Sequence, residues 1–268
     1  MSKLLDHQVV RRGSGPQLLF INGFGCSQSV WEEVALDLET DHELVFYDYA
    51  GASRSGVEAY DKSRHATLHG HAEDLLDICR EAGLTQPVVV AHSVGTQVAI
   101  LAALQDPSLF DSLVLLAPSP SYLNHSDFHG GFDLDDVENL LETLNANYFA
   151  WSRMMAPVIM GNQDRPELGE SLEHSFCQLD PDVATHFARV IFTADHRAAL
   201  DTLDLRTSLL QCQEDALASP DVGLYMSERI KSSRLVQLTA TGHCPHISSP
   251  AEVIQAIRVH LAADKRGS

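Results

Sequence analysis

One serine in the sequence follows a run of small and branched apolar residues and precedes a glycine by two positions. Ser93 directly follows the segment Val88–His92, and a helical pattern over 96–104 comes after it. A strand that turns sharply into a helix holds such a serine on a strained turn, with its hydroxyl projecting into a cleft. The residues that flank this turn must be small, as Ala91 and Gly95 are. The pattern predicts a nucleophile at Ser93, and the alternative is a serine that only caps the helix.

A serine nucleophile needs a base that accepts its proton. His243 comes directly after the last predicted strand, Leu235–Thr239, and before a predicted final helix over 251–262. A histidine in that loop reaches the cleft at the carboxyl ends of the strands. His246 lies three residues further along and is the alternative base. We expect His243 to be the base.

A base histidine needs an acid that orients its second ring nitrogen. Asp215 comes just after another predicted strand, Ser208–Gln213, and Glu214 beside it is the alternative acid. The order Ser, Asp, His along the chain is one of the known orders for such triads. The sequence therefore predicts a catalytic triad of Ser93, His243 and Asp215.

The negative charge that develops during acyl transfer requires hydrogen-bond donors. One is the backbone N–H that follows the nucleophile, here Val94, and the other comes from the loop after an early strand. That loop is Ile21–Cys26, and its glycines permit close backbone approach, so we assign the second donor to the N–H of Phe24. The same loop does not match a dinucleotide-binding motif, because Gln28 stands where the third glycine belongs.

Other clusters of chemically active residues give weaker indications. His65, His69 and His71 lie close together, which makes metal ligation conceivable, but a solvated helix start is the better interpretation. Cys244 is next to His243, yet it lacks the turn of a nucleophile and a second pair of ligands. We therefore expect neither a metal nor a cofactor.

Short apolar segments and helical patterns alternate over the first part of the chain. The predicted strands there are Gln17–Asn22, Glu43–Asp48, Pro87–Ala91 and Ser112–Ala117. Between about 120 and 200 the strand signals stop, and helices are predicted over 134–147, 149–161, 166–178 and 181–193. This alternation of strands and helices predicts an α/β fold with a mostly parallel sheet covered by helices on both faces. We expect a core of residues 1–120 and 200–268 and a helical cap of residues 121–199.

Composition limits the classes of partner. The 268 residues carry a formal net charge of −19, which would repel nucleic acid and anionic membrane surfaces. No apolar run suits a signal peptide or a membrane span. The five cysteines are scattered and odd in number, which favours free thiols in a reducing compartment. We expect a cytoplasmic protein with no nucleic-acid or membrane partner.

Several segments resemble the RsbQ-like branch of the α/β hydrolases, which includes regulators of the bacterial stress response and the plant strigolactone and karrikin receptors. The matching segments are Asn22–Trp31, Tyr47–Gly51, Ala91–Gly95, Ala117–Asn124, Phe192–Arg197 and Gly242–Ser248. The sequence departs from the pattern at Asn22, where the plant receptors often have histidine, and at Ala91, where glycine is commoner.

The resemblance implies an α/β-hydrolase fold with a four-helix cap above a deep apolar pocket. By position, Phe24, Trp151, Met155 and Phe192 would line that pocket, unless they serve only to pack the cap on the sheet. The implied activity is hydrolysis of a small apolar ester or lactone. The alternative is a signalling regulator or small-molecule receptor with slow hydrolysis, acting with a partner phosphatase that carries a sensory domain.

Overall fold

The structure of the protein is a computed structural model, and it describes residues 2–52 and 54–264. Strands form where short apolar segments rich in Val, Leu and Ile end at turn residues. The strands are β1 Val10–Gly13, β2 Gln17–Ile21, β3 Glu43–Phe46, β4 Val88–His92, β5 Ser112–Leu116, β6 Thr207–Glu214 and β7 Ser233–Thr241.

Within the described residues these seven strands form one sheet in the order β1-β3-β2-β4-β5-β6-β7. All neighbouring strands run parallel except β1, which pairs antiparallel with β3. The parallel strands that the sequence predicts are confirmed. The edge strand β1 was not predicted, because its residues Val-Arg-Arg-Gly lack an apolar pattern and it is held mainly by pairing with β3.

Helices connect the strands and extend the chain beyond them. They are α1 Lys3–Asp6, α2 Glu32–Leu38, α3 Leu68–Glu81, α4 Val94–Gln105, α5 Leu134–Ala146, α6 Tyr148–Met160, α7 Pro166–Phe176, α8 Pro181–Phe192, α9 Arg197–Leu200, α10 Pro220–Arg229, α11 Pro245–Ser248 and α12 Pro250–Asp264. Short 3₁₀ helices span Gln28–Trp31 and Arg54–Ala59. No bounds were predicted for helices α1, α2, α9, α10 and α11.

Helices α5 to α8 occupy the chain between β5 and β6, where the sequence predicts helices with nearly the same bounds. Asp133 forms a capping box with Asp136 at the start of α5, and Asp180 caps α8 through the N–H groups of Asp182 and Val183. These caps explain why the two helices begin where they do. The division into a core and a cap at residues 121 and 199 stays a prediction.

Helices cover both faces of the sheet. Successive residues of a strand point to opposite faces, so Leu18 and Phe20 of β2 pack in one apolar cluster, and Leu19 and Ile21 pack in another. The strands are therefore apolar on both sides, as a buried parallel sheet requires. In the part of the chain that the structure describes, we find no helix with the length and hydrophobicity needed to cross a bilayer.

A buried histidine lies between the sheet layer and helix α8. The ring of His71 on α3 stacks on Phe187 of α8 with 4.4 Å between centroids, and on His65 with 4.6 Å. Burial first, and then the nearby charge of His65, lowers the pKa of His71 to about 3. Between that value and the unperturbed pKa of about 6.5, the unfolded chain binds the proton more readily than the folded chain. Stability contributed by neutral His71 is therefore lost as the pH falls.

We expect the free energy of unfolding to decrease from about pH 7 to about pH 4, and to decrease less in His71→Phe. Phenylalanine keeps an aromatic ring against Phe187 but cannot take up a proton. Urea unfolding at several pH values measures both slopes. His129 is exposed, so His129→Gln should retain the wild-type slope. Equal slopes for wild type and His71→Phe would contradict this assignment.

Candidate active site

Three side chains from separate loops form one hydrogen-bonded chain. His243 Nε2 lies 2.7 Å from Ser93 Oγ, and His243 Nδ1 lies 2.8 Å from Oδ2 and 3.0 Å from Oδ1 of Asp215. The three loops follow β4, β6 and β7, whose carboxyl ends share one edge of the sheet. The structure thus brings together the three residues that the sequence selects as a triad.

The turn at Ser93 is strained. Its φ of 54° and ψ of −125° are unusual for a residue with a side chain, and they turn the chain from β4 into α4. A Cβ at position 95 would lie 2.7 Å from the carbonyl oxygen of Asn22, so only glycine allows α4 to approach β2 this closely. This geometry explains the small residue two positions after the serine.

Asp215 is buried but well supplied with hydrogen-bond donors. Its Oδ1 accepts the backbone N–H groups of Leu217 at 2.8 Å and Ala218 at 3.1 Å, and both oxygens face His243. Burial alone would raise the pKa of Asp215, but the attraction and hydrogen bond of His243 and the two N–H donors lower it below its usual value. Asp215 is therefore an ionised carboxylate that fixes the proton of His243 on Nδ1.

The loop that carries His243 is tied to helix α6. The N–H of His243 donates to the carbonyl oxygen of Ile159 at 2.9 Å, and the N–H of Gly242 donates to Glu214 O at 2.7 Å. Gly242 has a φ of +84°, and a Cβ there would collide with the carbonyl oxygen of Met160. The base is thus positioned jointly by the sheet and by α6.

Neither alternative residue joins the hydrogen-bonded chain. His246 is buried and lies between the rings of Trp31 and His92, each with a centroid separation of 4.4 Å. The side chain of Glu214 is exposed at the end of β6, where the strand leaves the buried part of the sheet.

The loop after β2 is anchored by a buried amide. Asn22 donates through Nδ2 to Tyr47 O and to Asp48 Oδ1, each at 3.1 Å, and its Oδ1 accepts the indole N–H of Trp31 at 2.9 Å. Asp48 Oδ1 also accepts the N–H of Gln28 at 2.7 Å. The asparagine that departs from the family pattern thus holds both ends of this loop.

The two predicted oxyanion donors flank Ser93. Val94 is the first residue of α4, so its N–H has no acceptor within the helix and lies at the positive end of the helix dipole. Phe24 lies in the anchored loop, and its ring contacts Trp151, Phe176 and Phe187 at centroid distances of 5.9 to 6.3 Å. Their role as donors to an oxyanion stays a prediction.

A mainly apolar cavity of about 40 Å³, which we call the Ser93 cavity, opens above the nucleophile. Phe24, Trp151 and Phe192 line it, as the resemblance implies. Met155 is partly buried and packs on the core, and it is not part of the described lining of this cavity. Residues lining the cavity that sequence reasoning missed are Cys26, His92, Tyr122, Ile159, Leu172, Phe176, Ile191, Leu217 and Cys244.

Tyr122 is the missed residue with the clearest chemical potential. Its hydroxyl lies 3.3 Å from Ser93 Oγ, its ring packs on Phe192, and it is almost fully buried. Burial raises the pKa of Tyr122 to about 12, so the hydroxyl keeps its proton at neutral pH. The sequence did hold one indication of this role, because Tyr122 follows β5, the strand beside β4. Position in a loop alone, however, does not show where a side chain points.

The other clusters lie away from this chemistry. His65 Nε2 lies 2.7 Å from Asp74 Oδ2, and His69 contacts the ring of His196. No group of His, Cys, Asp and Glu within residues 2–52 and 54–264 has the arrangement of a metal site. Cys244 lines the Ser93 cavity, where burial raises the pKa of its thiol well above the usual value, so it is a poor nucleophile.

Comparison with known proteins agrees with this geometry. The model of the alpha/beta hydrolase family matches residues 18–256, and the chain belongs to that family.

Relatives cover almost the full chain. A probable esterase of Oryza sativa subsp. japonica is 33% identical over 96% of this chain and 95% of its own. A strigolactone esterase of Arabidopsis thaliana is 31% identical over 92% of each chain. A karrikin insensitive 2 receptor of Petunia hybrida is 31% identical over 96% of each. Among solved structures, a hydrolase from Oleispira antarctica superposes with a TM-score of 0.93 at 32% identity, over 97% of this chain and 95% of its own.

We expect Asp215→Asn to slow the reaction of Ser93 with a fluorophosphonate by at least about a hundredfold. An amide at this position can donate to Nδ1, which leaves Nε2 protonated and unable to accept the serine proton. Intact-protein mass spectrometry follows the labelling. Glu214→Gln is the matched control and should stay within about twofold of wild type. A larger loss in Glu214→Gln than in Asp215→Asn would reverse the assignment of the acid.

Proposed function

We propose that the protein is a serine hydrolase of small apolar esters or lactones. The observation that carries this proposal is the chain from Ser93 Oγ through His243 to Asp215 at hydrogen-bond distances, beneath an apolar cavity. The esterase names of the rice and Arabidopsis relatives support the same class of reaction.

The general chemistry of a serine triad gives the order of the proposed steps. Ser93 Oγ attacks the ester carbonyl carbon while His243 Nε2 takes its proton, and the imidazolium is stabilised by Asp215. The tetrahedral intermediate collapses as His243 returns the proton to the leaving alcohol oxygen. Water then attacks the acyl-serine by the same route, which releases the acid and restores Ser93. In a lactone the alcohol stays attached to the acyl group.

Groups on either side of Ser93 would stabilise the negative charge that develops on the substrate oxygen. The N–H groups of Val94 and Phe24 would hold the oxyanion, and such a donor contributes roughly 10²–10³ in rate. The Tyr122 hydroxyl, 3.3 Å from Ser93 Oγ, adds a neutral donor that would orient the nucleophile or the substrate oxygen.

A second candidate function is that of a small-molecule receptor in which hydrolysis is slow. The similarity to the petunia receptor over nearly the whole chain favours it. The RsbQ-like form of this candidate, with a partner phosphatase, stays a prediction. A burst of one product per protein molecule followed by very slow turnover would support the receptor, whereas sustained turnover supports the esterase. A gene for a phosphatase with a sensory domain beside this one would favour the regulator.

We expect activity on aryl esters to be highest with acyl groups of about two to six carbons, and to be abolished in Ser93→Ala. The cavity is closed by large side chains such as Trp151 and Phe192, so longer chains lose contact gradually and then clash. Initial rates on a series of acyl lengths test this. Comparable rates on a long-chain triglyceride emulsion would indicate a lipase, and full activity in Ser93→Ala would disprove the nucleophile.

Tyr122→Phe should lower kcat by about fivefold to tenfold while changing KM little, because one neutral hydrogen bond is lost beside the reacting atoms. The ring contact with Phe192 is retained, so the thermal midpoint should change little. Tyr225 packs on Phe128, away from the Ser93 cavity, and Tyr225→Phe is the control. A loss confined to thermal stability would show that the hydroxyl is only structural.

A further inference from the structure

A second concavity, which we call the side groove, lies beside the Ser93 cavity. It has a volume of about 410 Å³ and runs between the segment that starts α2 and helix α7. Much of its lining is polar, including the hydroxyl-bearing residues Ser27, Ser29, Ser171 and Ser175. It is therefore chemically unlike the apolar Ser93 cavity.

Three stretches of chain border both spaces. Phe24 and Cys26 line the Ser93 cavity, and Ser27, a single residue further along, lines the side groove. Leu172 of α7 lines both and is only 2% exposed. The Leu172 side chain is thus a partition between the two spaces.

The chain after β7 also passes from the lining of the Ser93 cavity to the lining of the side groove. His243 and Cys244 line the Ser93 cavity, whereas His246 and Ile247 line the side groove. The base of the triad and the wall of the groove are therefore three residues apart, where the loop after β7 continues into α11.

His246 stands out among the residues of the groove. It is fully buried, and among the described residues neither ring nitrogen has a hydrogen-bond partner. Burial, followed by the charges of His92 and His243, lowers the pKa of His246 well below its usual value. A neutral imidazole offers one donor and one acceptor, and buried polar groups normally have partners.

The Ser93 cavity is too small for both halves of an ester. A water molecule needs roughly 10–15 Å³ of such space, and the cavity holds about 40 Å³. A short acyl group fills it. The alcohol half must then lie elsewhere, and the side groove is the neighbouring space, with Leu172 lining both.

We propose that the side groove is a subsite for the alcohol half of an ester whose acyl half is the apolar part, and that this alcohol is a small neutral polyol. His246 is its hydrogen-bonding group once Leu172 moves aside and the ring nitrogens, which are closed to solvent in this structure, become accessible. The inference rests on the proposed hydrolase function. Charge supports a neutral ligand, since Glu33 lines the groove and would repel a phosphorylated alcohol, whereas the carboxylate of Glu32 is paired with Arg12 at 2.6 Å.

The test compares 1-acetylglycerol with ethyl acetate, which have the same acyl group. We expect the ratio of kcat/KM for the two esters to fall by about fivefold to tenfold in His246→Phe, which keeps the ring but loses both hydrogen-bonding atoms. Ser171→Trp fills the groove from an exposed position and should lower the ratio at least as much. Its matched control is Glu170→Trp on the same helix, outside the groove lining, which should keep the wild-type ratio.

A binding readout separates this inference from the hydrolase proposal. In Ser93→Ala, glycerol titration should shift the ring ¹⁵N resonances of His246, and Ser171→Trp should remove the shift. Unchanged ratios and an unmoved His246 signal would overturn the subsite while Ser93-dependent hydrolysis of ethyl acetate still supported the hydrolase. If neither ester is hydrolysed, the hydrolase proposal fails and the glycerol titration alone decides the subsite. If His246→Phe does not fold, the two tryptophan variants decide the outcome.

Discussion

The hydrogen bond between Ser93 Oγ and His243 Nε2 is the contact on which the arrangement of the site depends. It joins residues 150 positions apart over 2.7 Å, and it forms only if β4 and β7 end at the same edge of the sheet. A parallel sheet meets this requirement, because successive strands present their carboxyl ends together. The strained turn at Ser93 and the close packing of Gly95 on the loop after β2 then aim the hydroxyl at the base.

The buried side chains of Asp215 and Asn22 near this contact are satisfied, whereas His92 Nδ1 and both ring nitrogens of His246 have no partner among the described residues. The Asp215 carboxylate accepts bonds from two backbone N–H groups and from His243, and Asn22 uses both its amide oxygen and its nitrogen. Such networks are rigid, because each partner that moves leaves a buried group without its hydrogen bond. The carbonyl of Ile159 extends this support to helix α6, so the helices between β5 and β6 position the base as well as cover the cavity.

The loops that carry the reacting groups also form the wall between two spaces of different chemistry. Apolar rings surround the serine, while hydroxyls and a buried imidazole line the neighbouring groove. A wall made of three short chain segments lets one site treat the two halves of an ester differently. A fold alone does not determine a function, so the side chains that line the two spaces decide which substrate this site accepts.

Local patterns in the sequence were sufficient for the strands β2 to β7, the helices α5 to α8 and the three residues Ser93, Asp215 and His243. Each depends on periodicity, on turn residues and on position after a strand, which neighbouring residues encode. The other features of the site and the edge strand depend on contacts between segments that are distant in the sequence. Tyr122 beside Ser93, Met155 outside the cavity lining and His246 between two rings depend on how the loops and α6 pack on the sheet, and the edge strand β1 depends on pairing with β3. Side-chain direction in a loop follows from the surrounding packing, so only the tertiary structure shows which of these residues reach the nucleophile.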